Sequence, residues 1–205
     1  MKFNTNQEEF WAKEFGDKYL ERNKIEDIVP NKINLFSEIF QNISSANSFL
    51  EFGPNIGINL IAIKKLKPHA QLYAVEINSQ ATKILKKSEI CTNLWNDSIL
   101  NFNEKNLVDF SFTSGVLIHV DPSFLDKAYK TLYECSRKYI LICEYYNPTP
   151  VSEEYRGHKN RLFKRDFAGD LLKKYSDLKL INYGFKYKND NNYPLDDITW
   201  FLLKK

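Results

Sequence analysis

The residues best suited to chemistry lie in five short stretches. The first is "SFLEFGPNIG" at 48–57, an apolar run ending in Glu51-Phe52 and then a tight turn, Gly53-Pro54-Asn55-Ile56-Gly57. Small residues after a strand let backbone come close to a ligand. The second is "YAVEIN", which sets Glu76 and Ile77 at the end of another apolar run, Glu76 being 19 residues after Gly57. A carboxylate at such a place is costly to bury unless it is paired, and a pair of hydroxyl donors is a suitable partner. The third is "WNDSI", with Asp97 and Ser98. The fourth is "TSGVLIHVDP", with Ser114, Gly115, Val116 and His119. An ordinary imidazole titrates near pH ~6.5, so His119 could accept a proton at neutral pH. The fifth, 143–167, holds Glu144, Tyr145, Tyr146, Asn147, Tyr155, Arg156, His158 and Lys159. Its cations could hold a carboxylate or phosphate, its tyrosines could stack or donate, and His158 is a second candidate base.

The turn at 53–57 is not a dinucleotide loop. In a GxGxxG pattern the second and third glycines would stand at 55 and 58, where this chain has Asn55 and Ile58. Asn is among the few residues that tolerate positive φ, so the turn survives the substitution and a positive φ is expected at Asn55.

The elements that must position these groups alternate. A helix over 7–22 carries Phe10, Trp11, Phe15 and Tyr19, with a bend expected near Gly16. A second helix is expected to start at Pro30, with Ile33, Phe36, Ile39, Phe40 and Ile43 inward. Strands are then expected at 47–52, 71–77, 90–95, 107–114 and 138–145. Helices should follow Gly57, a cap at Ser79, and Asp121-Pro122. Alternating strands and helices imply a mostly parallel sheet with helices on both faces. The polar, Pro-containing segment 147–160 breaks the alternation, and a helix is expected at 164–174. The runs 178–188 and 197–205 face each other across "NDNNYPLD" and predict an antiparallel pair.

Composition narrows the classes. The 205 residues suit one domain, read as an N-terminal helical cap over 1–44 and a core over 45–205 with an insertion at 145–163. Interspersed charges, 29 Lys+Arg against 26 Asp+Glu, give no basic footprint for nucleic acid. Cys91, Cys135 and Cys143 form neither CxxC nor a zinc quartet, so no metal is expected, and Cys91 and Cys143 read as buried free thiols of a reducing compartment. The N-terminus is no signal peptide and no run spans a bilayer, so a cytoplasmic protein without membrane partners is expected, its oligomeric state open.

Glu51, Gly53 and Gly57, with Glu76 and Asp97 following, resemble the first motifs of class I S-adenosylmethionine (SAM)-dependent methyltransferases. The resemblance implies a Rossmann-like α/β fold, a seven-stranded mostly parallel sheet with an antiparallel last strand, helices on both faces. It implies SAM as cofactor and S-adenosylhomocysteine as product. Glu51 would suit the cofactor's positive charges, Glu76 would bond the ribose, and Asp97 and Ser98 would lie beside the adenine. Phe52, Gly53, Pro54, Asn55, Gly57, Ile77, Ser114, Gly115 and Val116 would supply backbone contacts, with Trp11, Tyr19 and Arg22 closing over them. His119, His158 and Tyr145 are the catalytic candidates; Glu144, Tyr146, Asn147, Tyr155, Arg156 and Lys159 are the substrate-binding ones.

"EFWAKEFGDKYLERN", "LEFGPNIGINL", "GVLIHVDP" and "YRGHKNRLFKRDFAGDLL" together resemble a narrower group, the methylases associated with pseudaminic acid biosynthesis. That implies a small anionic acceptor such as a sugar, nonulosonic acid or nucleotide-sugar. The competing readings are methylation of another small molecule, of RNA or of protein, and a SAM-binding relative without catalysis. The (D/N)PP(Y/F) tetrapeptide of many nucleic-acid methylases is absent; after strand four the chain reads "TSGV".

Overall fold

The structure is a computed structural model that describes residues 2–20, 25–43 and 45–205. Every residue of β1 (Ser48–Phe52) is buried. A strand covered on both faces belongs in the middle of a sheet flanked by helices. It pairs in parallel with β2 (Gln71–Val75) and β4 (Val108–Ser114), while β3 (Asn93–Trp95) extends β2. The sheet continues through β5 (Ser136–Glu144) to β9 (Ile198–Lys204) and β8 (Lys179–Lys186), giving the order β3-β2-β1-β4-β5-β9-β8. β9 runs antiparallel to both neighbours, with Cys143 opposite Trp200, as the expected reversed last strand requires. This is the Rossmann-like fold of class I methyltransferases.

Period-two alternation divides the core. Leu50, Phe52, Ile140 and Ile142 face one side, with Leu132 of α6 (Leu125–Cys135) and Leu171 of α7 (Phe167–Lys174). Phe49, Leu72 and Leu141 face the other, with Phe36 and Ile39 of α3 (Ile25–Phe40), Leu60 and Ile63 of α4 (Ile58–Leu66), and Leu85 of α5 (Ser79–Ser88). Registering Phe52 opposite Val75 and Thr113 brings the turns after β1, β2 and β4 out at one edge of the sheet. Ligands of open α/β sheets bind outside those carboxyl ends.

Several expected elements differ in detail. The N-terminal helix breaks at Lys13 rather than bending at Gly16, giving α1 (Asn6–Ala12) and α2 (Glu14–Tyr19). Gly16 lies inside α2 against the Trp11 carbonyl, and a Cβ there would collide with it, so the glycine lets α2 fold back on α1. Pro30 lies within α3, which already runs from Ile25, so it is the sixth residue of that helix rather than its first, and it forfeits the bond that an N–H there would give the Glu26 carbonyl. Asn78, not Ser79, caps α5: its side chain accepts the N–H groups of Gln80 and Ala81. The segment 147–160 is not simply a break. It enters a hairpin of β6 (Val151–Tyr155) and β7 (His158–Lys164), turned at Arg156 and Gly157 with φ of 53° and 82°. That turn matches the twist of paired strands. Most of its residues are exposed, so no hydrophobic alternation marked it. Cys143 is buried as expected, but Cys91 is only half-buried.

Candidate functional site

A cavity of about 350 Å³ opens at the carboxyl edge of the sheet. That volume is within the range of small-molecule sites. Its floor is the turn after β1, where Gly53, Asn55 and Gly57 all take positive φ, 69°, 54° and 86°. The expectation for Asn55 holds. A Cβ on Gly53 would lie 2.5 Å from Val116 Cγ2, so the turn after β4 closes onto glycine.

Glu76 ties the turns together. Its Oε2 accepts the Asn55 N–H at 2.8 Å, and its Oε1 accepts the Asn78 N–H at 2.7 Å. Burial pushes its pKa up, opposed by these backbone donors. Asn78 reaches further, donating from Nδ2 to Asp17 Oδ1 at 2.8 Å and to the Trp11 carbonyl at 3.2 Å. Ser98 is buried and its hydroxyl donates to Glu8, whose carboxylate also takes the Thr5 N–H in a capping box. The N-terminal helices are thereby fastened to two turns of the sheet edge.

The rest of the wall is aromatic. Trp11 packs against His119 with ring centroids 4.6 Å apart and against Tyr19 at 5.3 Å. His119 packs on Tyr155 at 4.8 Å. Its Nδ1 lies 2.6 Å from the Arg161 carbonyl of β7, which fixes that nitrogen as the N–H donor and leaves Nε2 as an acceptor. Burial lowers its pKa to about 4, in place of the ordinary value the sequence implied. His119 is therefore neutral at physiological pH and a weak base. Tyr145 lines the same space, and burial with the nearby Asp196 carboxylate pushes its hydroxyl well above the usual phenol range.

The structure brings together Trp11, Tyr19, Gly53, Pro54, Asn55, Glu76, Ile77, Asp97, Ser98, Ser114, Gly115, Val116, His119, Tyr145 and Tyr155 around the cavity. Other expected residues stand elsewhere. Glu51 lies behind the wall, fully buried, accepting from Asn59 Nδ2 at 2.6 Å. Burial pushes its pKa up to about 8, so it presents little negative charge at neutral pH. Phe52 is buried in the core, and Gly57 opens α4 outside the cavity lining. Glu144 serves the 3₁₀ turn Leu117–His119, accepting the N–H groups of Val116 and Leu117 at 3.1 Å and Ile118 at 3.3 Å. Arg156 and Lys159 are exposed on the hairpin, Arg156 over the Tyr155 ring. His158 is on its outer part against Phe10 and Phe15. Tyr146 is exposed beside Phe201, and Asn147 is turned to the Thr149 carbonyl. Arg22 lies outside the described residues.

Cavity-lining residues that sequence reasoning missed include Glu8, Asn31, Lys32, Asn59, Asn78 and Asp196. The "TNQE" capping box could have marked Glu8. The others come from helix faces and a loop distant in sequence. Among the described residues no group of three His, Cys, Asp or Glu side chains is placed to hold a metal, and no helix is long and apolar enough to cross a membrane.

No family profile matches the chain, and no curated protein matches it. Solved structures match by fold. A SAM-dependent methyltransferase of Leishmania major aligns with a TM-score of 0.74 at 12% identity, over 98% of this chain and 87% of that one. The 1,6-didemethyltoxoflavin-N1-methyltransferase of Burkholderia thailandensis, solved with 1,6-didemethyltoxoflavin and S-adenosylhomocysteine, gives 0.64 at 10% identity over 86% and 76%. The N-methyltransferase NodS of Bradyrhizobium japonicum gives 0.63 at 13% identity over 86% and 97%. The chain has the class I methyltransferase fold. At these identities the likeness speaks for architecture alone, and activity has to be argued from the site.

Proposed function

We propose that this protein is a SAM-dependent methyltransferase with a small-molecule acceptor. The observation that carries the reading is the cradle at Gly53: a close backbone approach beside the buried Glu76 carboxylate, in the cavity at the carboxyl edge of this fold. The cavity residues fit the cofactor. Among the described residues Asn55 Oδ1 and Asn59 Oδ1 are buried acceptors without partners, suited to an ammonium or hydroxyl donor, and Trp11 Nε1 is a buried donor without one. When bound, SAM supplies an electrophilic methyl group on a sulfonium.

This chain's residues then divide the work. Glu76 has lone pairs left for ribose hydroxyls after its two backbone bonds. Asp97 and Ser98, on the cavity lining, would serve the adenine edge, and Ser114–Val116 would underlie the reacting centre. Trp11 and Tyr19 cover the cavity, and exclusion of water strengthens each polar contact inside it. His119 Nε2 and the Tyr145 hydroxyl orient the acceptor by hydrogen bonds. A His119 pKa of about 4 makes it a group that holds a proton's position rather than one that retains the proton. Positioning supplies most of the rate in such a transfer.

For the acceptor, the resemblance to methylases linked with pseudaminic acid supports a sugar, nonulosonic acid or nucleotide-sugar of bacterial surface glycans. Arg156 and Lys159, on the strand turn just beyond cavity-lining Tyr155, would serve an anionic part lying outside the cavity. On this reading α1 and α2 form the cap and the hairpin is the acceptor wall. Asn55 lends no support to an inactive relative, since it keeps the φ of the glycine it replaces.

Calorimetry with SAM and S-adenosylhomocysteine tests the cofactor. Absence of binding at millimolar concentration sinks the reading. Mass spectrometry of reactions with nonulosonic acids and nucleotide-sugars should show a gain of one methylene on the true acceptor; binding without turnover on any sugar would overturn the sugar class alone.

A further inference from the structure

We infer that the acceptor group is an amine and that the protein is an N-methyltransferase. The inference rests on the methyltransferase reading and deepens it. Four aromatic side chains and one imidazole converge on one volume: Trp11, Tyr19, Tyr145, Tyr155 and His119. Trp11 stands 4.6 Å from His119, 5.3 Å from Tyr19 and 6.1 Å from Tyr155. Burial first, and then the Asp196 carboxylate, raises the Tyr145 hydroxyl, and Asp196 lines the same cavity as these rings. Ring faces carry negative quadrupole and attract cations, most strongly where water is excluded.

The charges lining the cavity agree. Among the described residues Glu8, Glu76, Asp97 and Asp196 face it, against one cation, Lys32. Glu8 and Glu76 are committed to hydrogen bonds within the protein. Asp196 is not: no hydrogen bond or ion pair with a described residue engages its exposed carboxylate. Lys32 lies near enough to buried Glu51 and Cys143 to oppose the rise that burial gives each, and it remains a positive charge on the described lining. The cofactor's ammonium and sulfonium against its one carboxylate leave a single positive charge, which does not balance the lining. An acceptor with its own anion in this volume would be repelled, whereas an ammonium would be held by the rings and by Asp196.

The transfer balances simply. The bound ammonium gives one proton to water at the mouth, past Asp196. The neutral nitrogen then donates its lone pair to the methyl carbon, the carbon–sulfur bond breaks with its pair left on sulfur, and the product leaves as a methylated ammonium.

The test uses choline, its uncharged isostere 3,3-dimethylbutan-1-ol, and 3,3-dimethylbutanoate, each titrated calorimetrically into the full chain with and without saturating S-adenosylhomocysteine. Choline should bind about tenfold tighter than the alcohol, and the carboxylate weakest. Asp196→Asn, a surface change, should weaken choline about fivefold and leave the alcohol and S-adenosylhomocysteine untouched. Tyr155→Leu should weaken choline more than the alcohol. Equal binding of alcohol and choline, preference for the carboxylate, or no choline binding at 50 mM (a concentration about ten times the ~5 mM Kd expected of a weak aromatic box) overturns the inference. If that happens while S-adenosylhomocysteine binds, the methyltransferase reading stands without the amine. If choline preference holds and S-adenosylhomocysteine does not bind, the amine site stands and the methyltransferase reading falls.

Discussion

The cavity has two walls built on opposite principles. One is the turn 53–57 with Glu76, where backbone conformation does the work: positive φ at three residues, and a carboxylate holding main-chain N–H groups. The other is the clasp of α1, α2 and the β6–β7 hairpin, where side chains from remote parts of the chain do it. Trp11 meets His119 across 108 positions and Gln7 reaches the Asn160 carbonyl across 153. The first wall is local and rigid, since neighbours in sequence fix it. The second is assembled, and so should fail in pieces.

Five changes test that contrast, the largest first. Glu76→Ala leaves the Asn55 and Asn78 N–H groups without their acceptor and, on the proposed reading, removes the ribose partner, so S-adenosylhomocysteine affinity by calorimetry should fall about 100-fold, near ~2.7 kcal/mol. A loss under threefold would remove Glu76 from the cofactor site. Gly53→Ala puts a Cβ against Val116 and an L-residue at φ of 69°, and should cost about tenfold in the same affinity. Val116→Ala in the same chain should recover the steric part only; full recovery would show that the backbone is not the cause.

Gly16→Ala strikes the clasp. The new methyl meets the Trp11 carbonyl, so α2 must lift from α1. Amide exchange should rise across residues 5–19 and about fivefold of cofactor affinity should be lost, with the global Tm little changed. A cooperative fall in Tm instead would show that the clasp is part of the core.

The fourth change reads pH. Burial raises Glu51 from 4.5 to about 8 in the folded chain. Between those values the folded state keeps a proton that the unfolded state releases, so stability falls as pH rises through that window and is level above it. Glu51→Gln cannot ionise and should flatten the Tm profile between pH 5 and 9, standing above the wild type at the alkaline end. A parallel profile would mean that Glu51 is not the titrating group. The smallest effect is expected from Asn55→Gly, which already has glycine's φ and should bind the cofactor within about twofold of the wild type; Asn55→Val, barred from that region, should not.

Much of the first wall was legible in sequence because its causes are local. Two glycines, an Asn between them and an acid at each strand end are spacing statements, and the fold brings Gly53, Asn55, Glu76 and Asp97 to one cavity. Glu51 shows the limit. Its position in the motif was plain, but whether a carboxylate faces a ligand or the core depends on what packs over it, and Asn59 does. Glu144 likewise looked like a substrate ligand until its oxygens were seen to hold the turn at 116–118.

The sequence by itself determined the alternation of strands and helices, the reversed strand near the end and the shape of the glycine turn, since each follows from side-chain period and backbone sterics within a few residues. Only the tertiary structure decided which charges face the cavity. It withdrew Arg156 and Lys159 to an exposed hairpin, brought Asp196 and Glu8 to the rim and wall, and buried His119 until its imidazole became a neutral acceptor. Charge and pKa are set by desolvation and by neighbours across space, and those neighbours lie far along the chain.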